Sequence, residues 1–204
     1  MKNTHMAEIT KNWEKAKKFI EEGKIVVAPT DTIYGILADA SNPEVVEYVY
    51  RLKSRKEDKP YIILIPDVHS LSFFGIKPSK EEEKLLSKKG ITVVVQLSEK
   101  NSFEYLHRGK KTLAFRIPEK KELIELMEKT EKPLIAPSAN PEGKEPAKSV
   151  KEAYAYFKDK VHLYIDEGFL EGKPSTIVLI KNGKPVVLRE GNTKKEEIEK
   201  ILKN

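Results

Sequence analysis

The sequence predicts an α/β protein, a twisted open mixed sheet with helices around it. Three observations predict it. Short β-branched apolar runs alternate with amphipathic stretches along the chain. Helix-opening residues stand before several of those stretches. Asn182-Gly183, set between two apolar runs, adds an antiparallel hairpin. A chain of 204 residues, 39% of them hydrophobic, can bury a core and still carry a cleft. No repeat, low-complexity tract or Gly/Ser linker interrupts it, so one continuous domain over 1–204 is expected.

The elements follow in order. Over 9–22, Trp13, Ala16, Phe19 and Ile20 share one helical face, and Gly23 is a stop. The run 25–28 reads as a buried strand. Asn42-Pro43 opens a helix whose inward face is Val46, Val49 and Tyr50. A strand at 61–65 follows Pro60. Ser79 and Glu82 form a capping-box pair before Leu85-Leu86, with Gly90 as the helix end. Strands at 91–97 and 112–117 precede a helix at 122–129 and a brief strand at 133–136. Ser149 and Glu152 form a second capping box, and 161–165 is a strand. The hairpin strands are 176–180 and 185–188, and Thr193 and Glu196 cap a last helix.

Composition excludes several chemistries. There is no cysteine, hence no disulfide, thiolate metal site or cysteine nucleophile. The 4 histidines are scattered, with no pair at metal-ligand spacing. No apolar run approaches the roughly 20 residues of a membrane span. The polar stretch Met1–His5 lacks the apolar core of a signal peptide, so a cytoplasmic protein is expected. A net charge of +6 permits phosphate or RNA binding without requiring it.

In open sheets ligands bind beyond strand ends, and five polar clusters fall there. Pro29-Thr30-Asp31-Thr32 brings two hydroxyls and a carboxylate that can face a small polar ligand or an ammonium group; a turn explains the same residues. Lys53-Ser54-Arg55, continuing to Lys59-Pro60, places a point charge and a bidentate fork where both can reach one phosphate; a solvated basic run is the plainer account. Thr112, Ala114 and Arg116 share a strand face, where an inward Arg needs a partner or an anion; otherwise it is an edge-strand ion pair. Ala136-Pro137-Ser138-Ala139-Asn140 combines small residues with donors, or is a Pro-bounded turn. The hairpin can bring Ser175 and Arg189 to one end of the sheet. Neither G-x-x-x-x-G-K-[ST] nor G-x-G-x-x-G occurs, and no Ser/His/Asp set or carboxylate pair stands out. Hydroxyls and cations at strand ends suit positioning and charge neutralisation of an anionic substrate.

Taken in order, these clusters resemble the YrdC-like family, the threonylcarbamoyl-AMP synthases, from about residue 22 to residue 191. The resemblance implies a twisted open sheet with a large concave, positively lined surface. It implies ATP, L-threonine and bicarbonate as substrates, with Mg²⁺ accompanying ATP. The product would pass to a tRNA threonylcarbamoyl transferase. By resemblance, Thr32, Arg116 and Ser175 would contact threonine. Lys53, Arg55, Lys59, Thr112, Ala136, Ser138, Asn140 and Arg189 would hold ATP, with Lys53 and Arg55 carrying the catalytic charge. No metal ligand is assigned on the chain. Two departures stand out: only Gly90 and Thr92 remain of a P-G-P-x-T element, and Ile63-Leu64-Ile65 lies where many members have a histidine. The sequence resembles the family's short form, without an extra C-terminal domain. Three rival readings remain: a tRNA- or double-stranded-RNA-binding module, a carbamoyl-transfer domain with another acceptor, and a paralogue without synthase activity. Cysteine clusters of the zinc type accompany the second of these, and this chain has no cysteine.

Overall fold

The structure is a computed structural model describing residues 6–56 and 58–204. Met1–His5 and Glu57, the latter within the basic cluster, lie outside the described residues.

The strands are β1 (Glu8–Thr10), β2 (Val26–Pro29), β3 (Tyr34–Asp39), β4 (Ile62–Leu64), β5 (Thr92–Gln96), β6 (Thr112–Arg116), β7 (Leu134–Ile135), β8 (Leu163–Ile165), β9 (Ile177–Lys181) and β10 (Lys184–Arg189). They form one sheet in the order β1-β8-β2-β3-β7-β4-β6-β5-β9-β10. Four pairings are parallel (β1/β8, β2/β8, β4/β6, β5/β9) and the rest antiparallel, which makes the sheet mixed as expected. The helices are α1 (Glu14–Glu21), α2 (Pro43–Lys53), α3 (Lys80–Ser87), α4 (Glu104–His107), α5 (Lys121–Thr130), α6 (Val150–Phe157) and α7 (Lys195–Lys203). Short 3-10 turns occupy Val68–Phe74 and Lys158–Lys160.

Both sheet faces are buried. Strand alternation sends Val26, Ala28, Leu37, Leu64 and Leu134 into a core with Ala16 and Ile20 of α1 and Leu123 and Met127 of α5. Their neighbours Ile25, Val27, Ile36, Ile63 and Ile135 enter a larger core with residues of α2, α3, α6 and α7. This two-sided burial explains why these strands read as continuous apolar runs.

Local signals act where they were read. Asn42 accepts from the backbone N–H groups of Glu44 and Val45 and starts α2 with Pro43 in its first turn. The Ser79/Glu82 box is reciprocal, at 2.8 and 3.2 Å. Asn182 and Gly183 take φ of 53° and 74°, the left-handed pair that a two-residue hairpin turn demands.

Other expectations need correction. The helix expected over 9–22 begins at Glu14; Ile9 and Thr10 instead pair with Tyr164 and Ile165 of β8, and Asn12 accepts from Glu14 N–H to open the helix. β3 follows the Thr-Asp-Thr turn directly and hairpins with β2, a strand the sequence did not suggest. α3 ends at Ser87, before Gly90. Ser149 caps α6, but Glu152 accepts from the N–H of Lys148 and not of Ser149, so that box is not reciprocal. Thr193 does not cap α7; its N–H donates to Thr176 Oγ1, which ties it to the start of β9.

Candidate active site

A cleft of about 530 Å³ opens where several strands end. Its walls are the β2–β3 turn, the stretch after α2, the end of β6, the segment after β7, residues 145–148, residues 170–175 and the end of β10. Thr32, Arg55, Arg116, Ala136, Ser138, Ser175 and Arg189, distant in sequence, all line it.

The β2–β3 turn is self-satisfied through Thr30. Its Oγ1 donates to Ile33 O at 2.6 Å and accepts from the N–H groups of Thr32 and Ile33. Those bonds use the hydrogen and both lone pairs of that hydroxyl, so the Thr32 hydroxyl, 3.1 Å away, remains available to the cleft. Thr32 therefore offers the cleft oxygen lone pairs, suited to an amine or hydroxyl of a ligand. Asp31 does not face a ligand, as the sequence had allowed; its carboxylate turns to Arg116 at 3.2 Å, and both side chains are under 5% exposed. Asp31 Oδ2 also accepts from Glu119 N–H.

Arg116 sits on a strand flanked by β4 and β5, which removes the edge-strand alternative. Its Nη1 donates to Ser175 Oγ at 3.2 Å, while Nε is buried without a hydrogen-bond partner. Burial pushes its pKa down and Asp31 pushes it back up. Arg189 donates to the carbonyl of Ser175 through Nε and Nη2 at 3.1 and 2.8 Å, and Nη2 lies 3.4 Å from Ser175 Oγ. Its pKa is lowered by burial and then by Arg116. With both arginines donating to Ser175 Oγ, the Ser175 hydrogen points to Thr92 Oγ1, 2.7 Å away. Thr92, one of the two residues kept from the P-G-P-x-T element, thus props the cleft floor.

Lys53 is the last residue of α2 and is 1% exposed. It lies behind the cleft wall, donating to Ser138 O, with Ser138 Oγ at 3.4 Å. Burial, then Arg55, pushes its pKa down to about 7, against an opposing pull from Glu142. Arg55 lines the cleft with its guanidinium 4.9 Å from the Tyr61 ring centre. Its Nε and Nη2 donate to the carbonyls of Lys59 and Pro60. Lys59 lies beside the lining, paired with Glu142 at 3.1 Å. Asn140 is buried next to the lining, and its Nδ2 donates to the carbonyls of Pro141 and Lys144. Thr112 stands at the start of β6, opposite Gln96 and at the other end of that strand from Arg116; it is not part of the lining.

The segment 166–175 closes one side. Leu170 N–H donates to Lys148 O at 2.7 Å, and Lys148 pairs with Glu171 at 3.1 Å. At Gly172 a Cβ would stand 2.0 Å from Thr32 O. Gly172→Ala is therefore expected to push the segment off the β2–β3 turn, costing about 1–3 kcal/mol and lowering the melting temperature by roughly 2–10 °C. Calorimetry checks this; an unchanged melting temperature would show that the contact is loose.

Among the described residues no group of three or more His, Asp and Glu could hold a metal ion, and no helix is long and apolar enough to cross a membrane. A cation- and hydroxyl-lined cleft thus opens at the strand ends of a helix-covered mixed α/β sheet. Residues 18–191 match the family Sua5_yciO_yrdC, described as telomere recombination, and the chain belongs to that family. It is 35% identical over 192 residues to the threonylcarbamoyl-AMP synthase of Pyrococcus abyssi, covering 92% of this chain and 56% of that protein. It is also 35% identical to a putative threonylcarbamoyl-AMP synthase of Methanocaldococcus jannaschii, over 87% of this chain and 84% of the other. The structure of P. abyssi Sua5 complexed with L-threonine superposes with a TM-score of 0.85 and 32% identity, over 96% of this chain and 60% of that one. The chain thus spans little more than half the length of the P. abyssi relative.

Proposed function

We propose that the protein is an L-threonylcarbamoyladenylate synthase, converting L-threonine, CO2 or bicarbonate and Mg·ATP into threonylcarbamoyl-AMP and pyrophosphate. The product would feed a transferase that installs threonylcarbamoyl on adenosine of tRNA. The observation carrying this reading is the convergence of Arg116, Arg189 and Ser175 on the floor of a cleft that Thr32 and Arg55 also line. The synthase names of the relatives support it.

Threonine's amine attacks CO2 and loses a proton, giving a carbamate. A carbamate oxygen then forms a bond to the α-phosphorus as the bond to the β-phosphate oxygen breaks, and pyrophosphate leaves. Arg116, a cation at the cleft floor, suits the threonine carboxylate. Thr32 accepts from the threonine amine or hydroxyl. Arg55 and Arg189 offset charge on the phosphates as they rearrange. Lys53, sealed behind Ser138, acts through the position of that residue. Mg²⁺ would enter as part of the substrate, held by phosphate oxygens and water; among the described residues no group of carboxylates could cage it. No side-chain nucleophile is needed.

The test is pyrophosphate release from Mg·ATP with and without threonine and bicarbonate. Release that needs both is expected; none from folded protein would favour the inactive paralogue or the RNA-binding module. In the same assay Arg55→Ala is expected to lower turnover by roughly a hundredfold while the fold persists, as for loss of one charge-stabilising donor. Turnover equal to the wild type would remove Arg55 from the mechanism.

A further inference from the structure

Lys53, Arg55 and Lys59 have a common neighbour that no sequence motif pointed to, the carboxylate of Glu142. Its Oε1 lies 3.1 Å from Lys59 Nζ, and its Oε2 lies 3.9 Å from Arg55 Nη1. Its pKa is held down by the Lys59 hydrogen bond, with Arg55 and Lys53 acting in the same direction. The backbone presents it rigidly. Glu142 N–H donates to Lys53 O at 2.7 Å, and Lys144 N–H closes a turn onto Pro141 O at 3.0 Å. Gly143 holds the positive φ of 82° within that turn, and Asn140 Nδ2 clamps both of its ends.

We propose that Glu142, anchored on Lys59, is an internal counter-ion that holds the place of a substrate phosphate group beside Arg55 and sets how tightly the cleft takes a polyphosphate. The inference rests on reading the cleft as a nucleotide site. Arg55 and Lys59 both approach this one carboxylate, and a fixed anion there offsets their like charge while the cleft is empty. The two contacts are unequal. Lys59 is hydrogen-bonded, whereas Arg55 is within ion-pair distance but makes no hydrogen bond to Glu142. An arriving phosphate therefore takes Arg55, the cation that lines the cleft, and leaves Lys59 on Glu142. The carboxylate then faces the incoming anion across Arg55, which lowers affinity for any polyanion lacking further contacts in the cleft.

Calorimetric titration of Mg·ATP and of inorganic tripolyphosphate tests this, with wild type, Glu142→Gln and Glu142→Ala. Glu128→Gln, on the exposed side of α5, makes the same change in net charge away from the cleft. Both Glu142 variants are expected to bind the two ligands roughly two- to tenfold more tightly, the size expected for one or two partly exposed ion pairs, with Glu128→Gln matching the wild type. A merely structural role for Glu142 would instead weaken binding. Wild-type binding with equal or weaker affinity in the Glu142 variants overturns the inference and leaves the nucleotide reading standing. Equal tightening in Glu128→Gln overturns it as well, by assigning the effect to net charge. No binding of Mg·ATP by any of the four proteins overturns the nucleotide reading, and the inference falls with it.

Discussion

Arg116→Met is expected to cost the folded protein about 3–5 kcal/mol, the penalty for leaving a buried charge without its partner. The partner is Asp31, whose side chain is 3% exposed and whose Oδ1 has no hydrogen bond. Methionine fills much of the volume, so the loss is electrostatic more than steric. Pairing the change with Asp31→Asn is expected to restore most of the stability, because the double variant buries no charge. Urea denaturation of both single variants and the double variant checks this. Additive losses would show that the two side chains do not act as a pair. On the proposed synthase reading, catalysis should not return with stability, since Arg116 would still be missing from the cleft.

Lys53→Met is expected to stabilise the protein near neutral pH and to flatten its pH dependence above it. In the wild type the Lys53 pKa falls from 10.5 to about 7, through burial first and then Arg55. Between those values the unfolded chain binds more protons than the folded one, so the Lys53 contribution makes stability rise as pH rises from about 7 towards 10.5. Below pH 7 the full penalty of burying the ammonium is present. Its size is on the order of 3–5 kcal/mol, less the cost of removing the donor to Ser138 O. The advantage of the variant should shrink steadily from neutral to alkaline pH in paired urea titrations. A constant difference across that window would mean that Lys53 keeps its ordinary pKa when folded. On the proposed synthase reading, pyrophosphate release should fall in the variant even where stability gains, because the Ser138 carbonyl keeps only the bond from Asn140 N–H. Lys53→Ala would confuse the two effects by opening a cavity.

The regular parts of the fold were legible because their signals are local. Asn42-Pro43, Ser79 with Glu82, and Asn182-Gly183 act on backbone groups within a few residues. β3 was hidden because Tyr34–Asp39 is buried on both faces and so does not alternate, and Gly35 reads as a breaker. Only the fold shows why a glycine suits it: a Cβ there would stand 3.1 Å from Thr30 Cγ2 and 3.3 Å from Pro137 O. β1 was hidden because Ile9 extends the helical spacing of Trp13 and Ala16, while its hydrogen bonds come from β8. The candidate site divides in the same way. The strand-end clusters were visible as residue types, and most of them converge. Their partners were not: Asp31 for Arg116, Thr92 for Ser175, Glu142 for Arg55 and Lys59. Each is a contact across the sheet between segments far apart in sequence, with no local pattern to announce it.

The strand order also governs when the cleft comes into being. Its floor joins Thr92 to Ser175 across 83 positions and Arg116 to Ser175 across 59. The β2–β3 and β9–β10 hairpins can close early, whereas β9 must find β5 across an intervening segment that holds three strands and three helices. Such non-local pairing slows folding. A chain emerging from the ribosome can therefore build its first hairpin and α2 while the arginine-and-hydroxyl floor is still missing. The cleft is complete only once Ser175 and Arg189 have been made and docked.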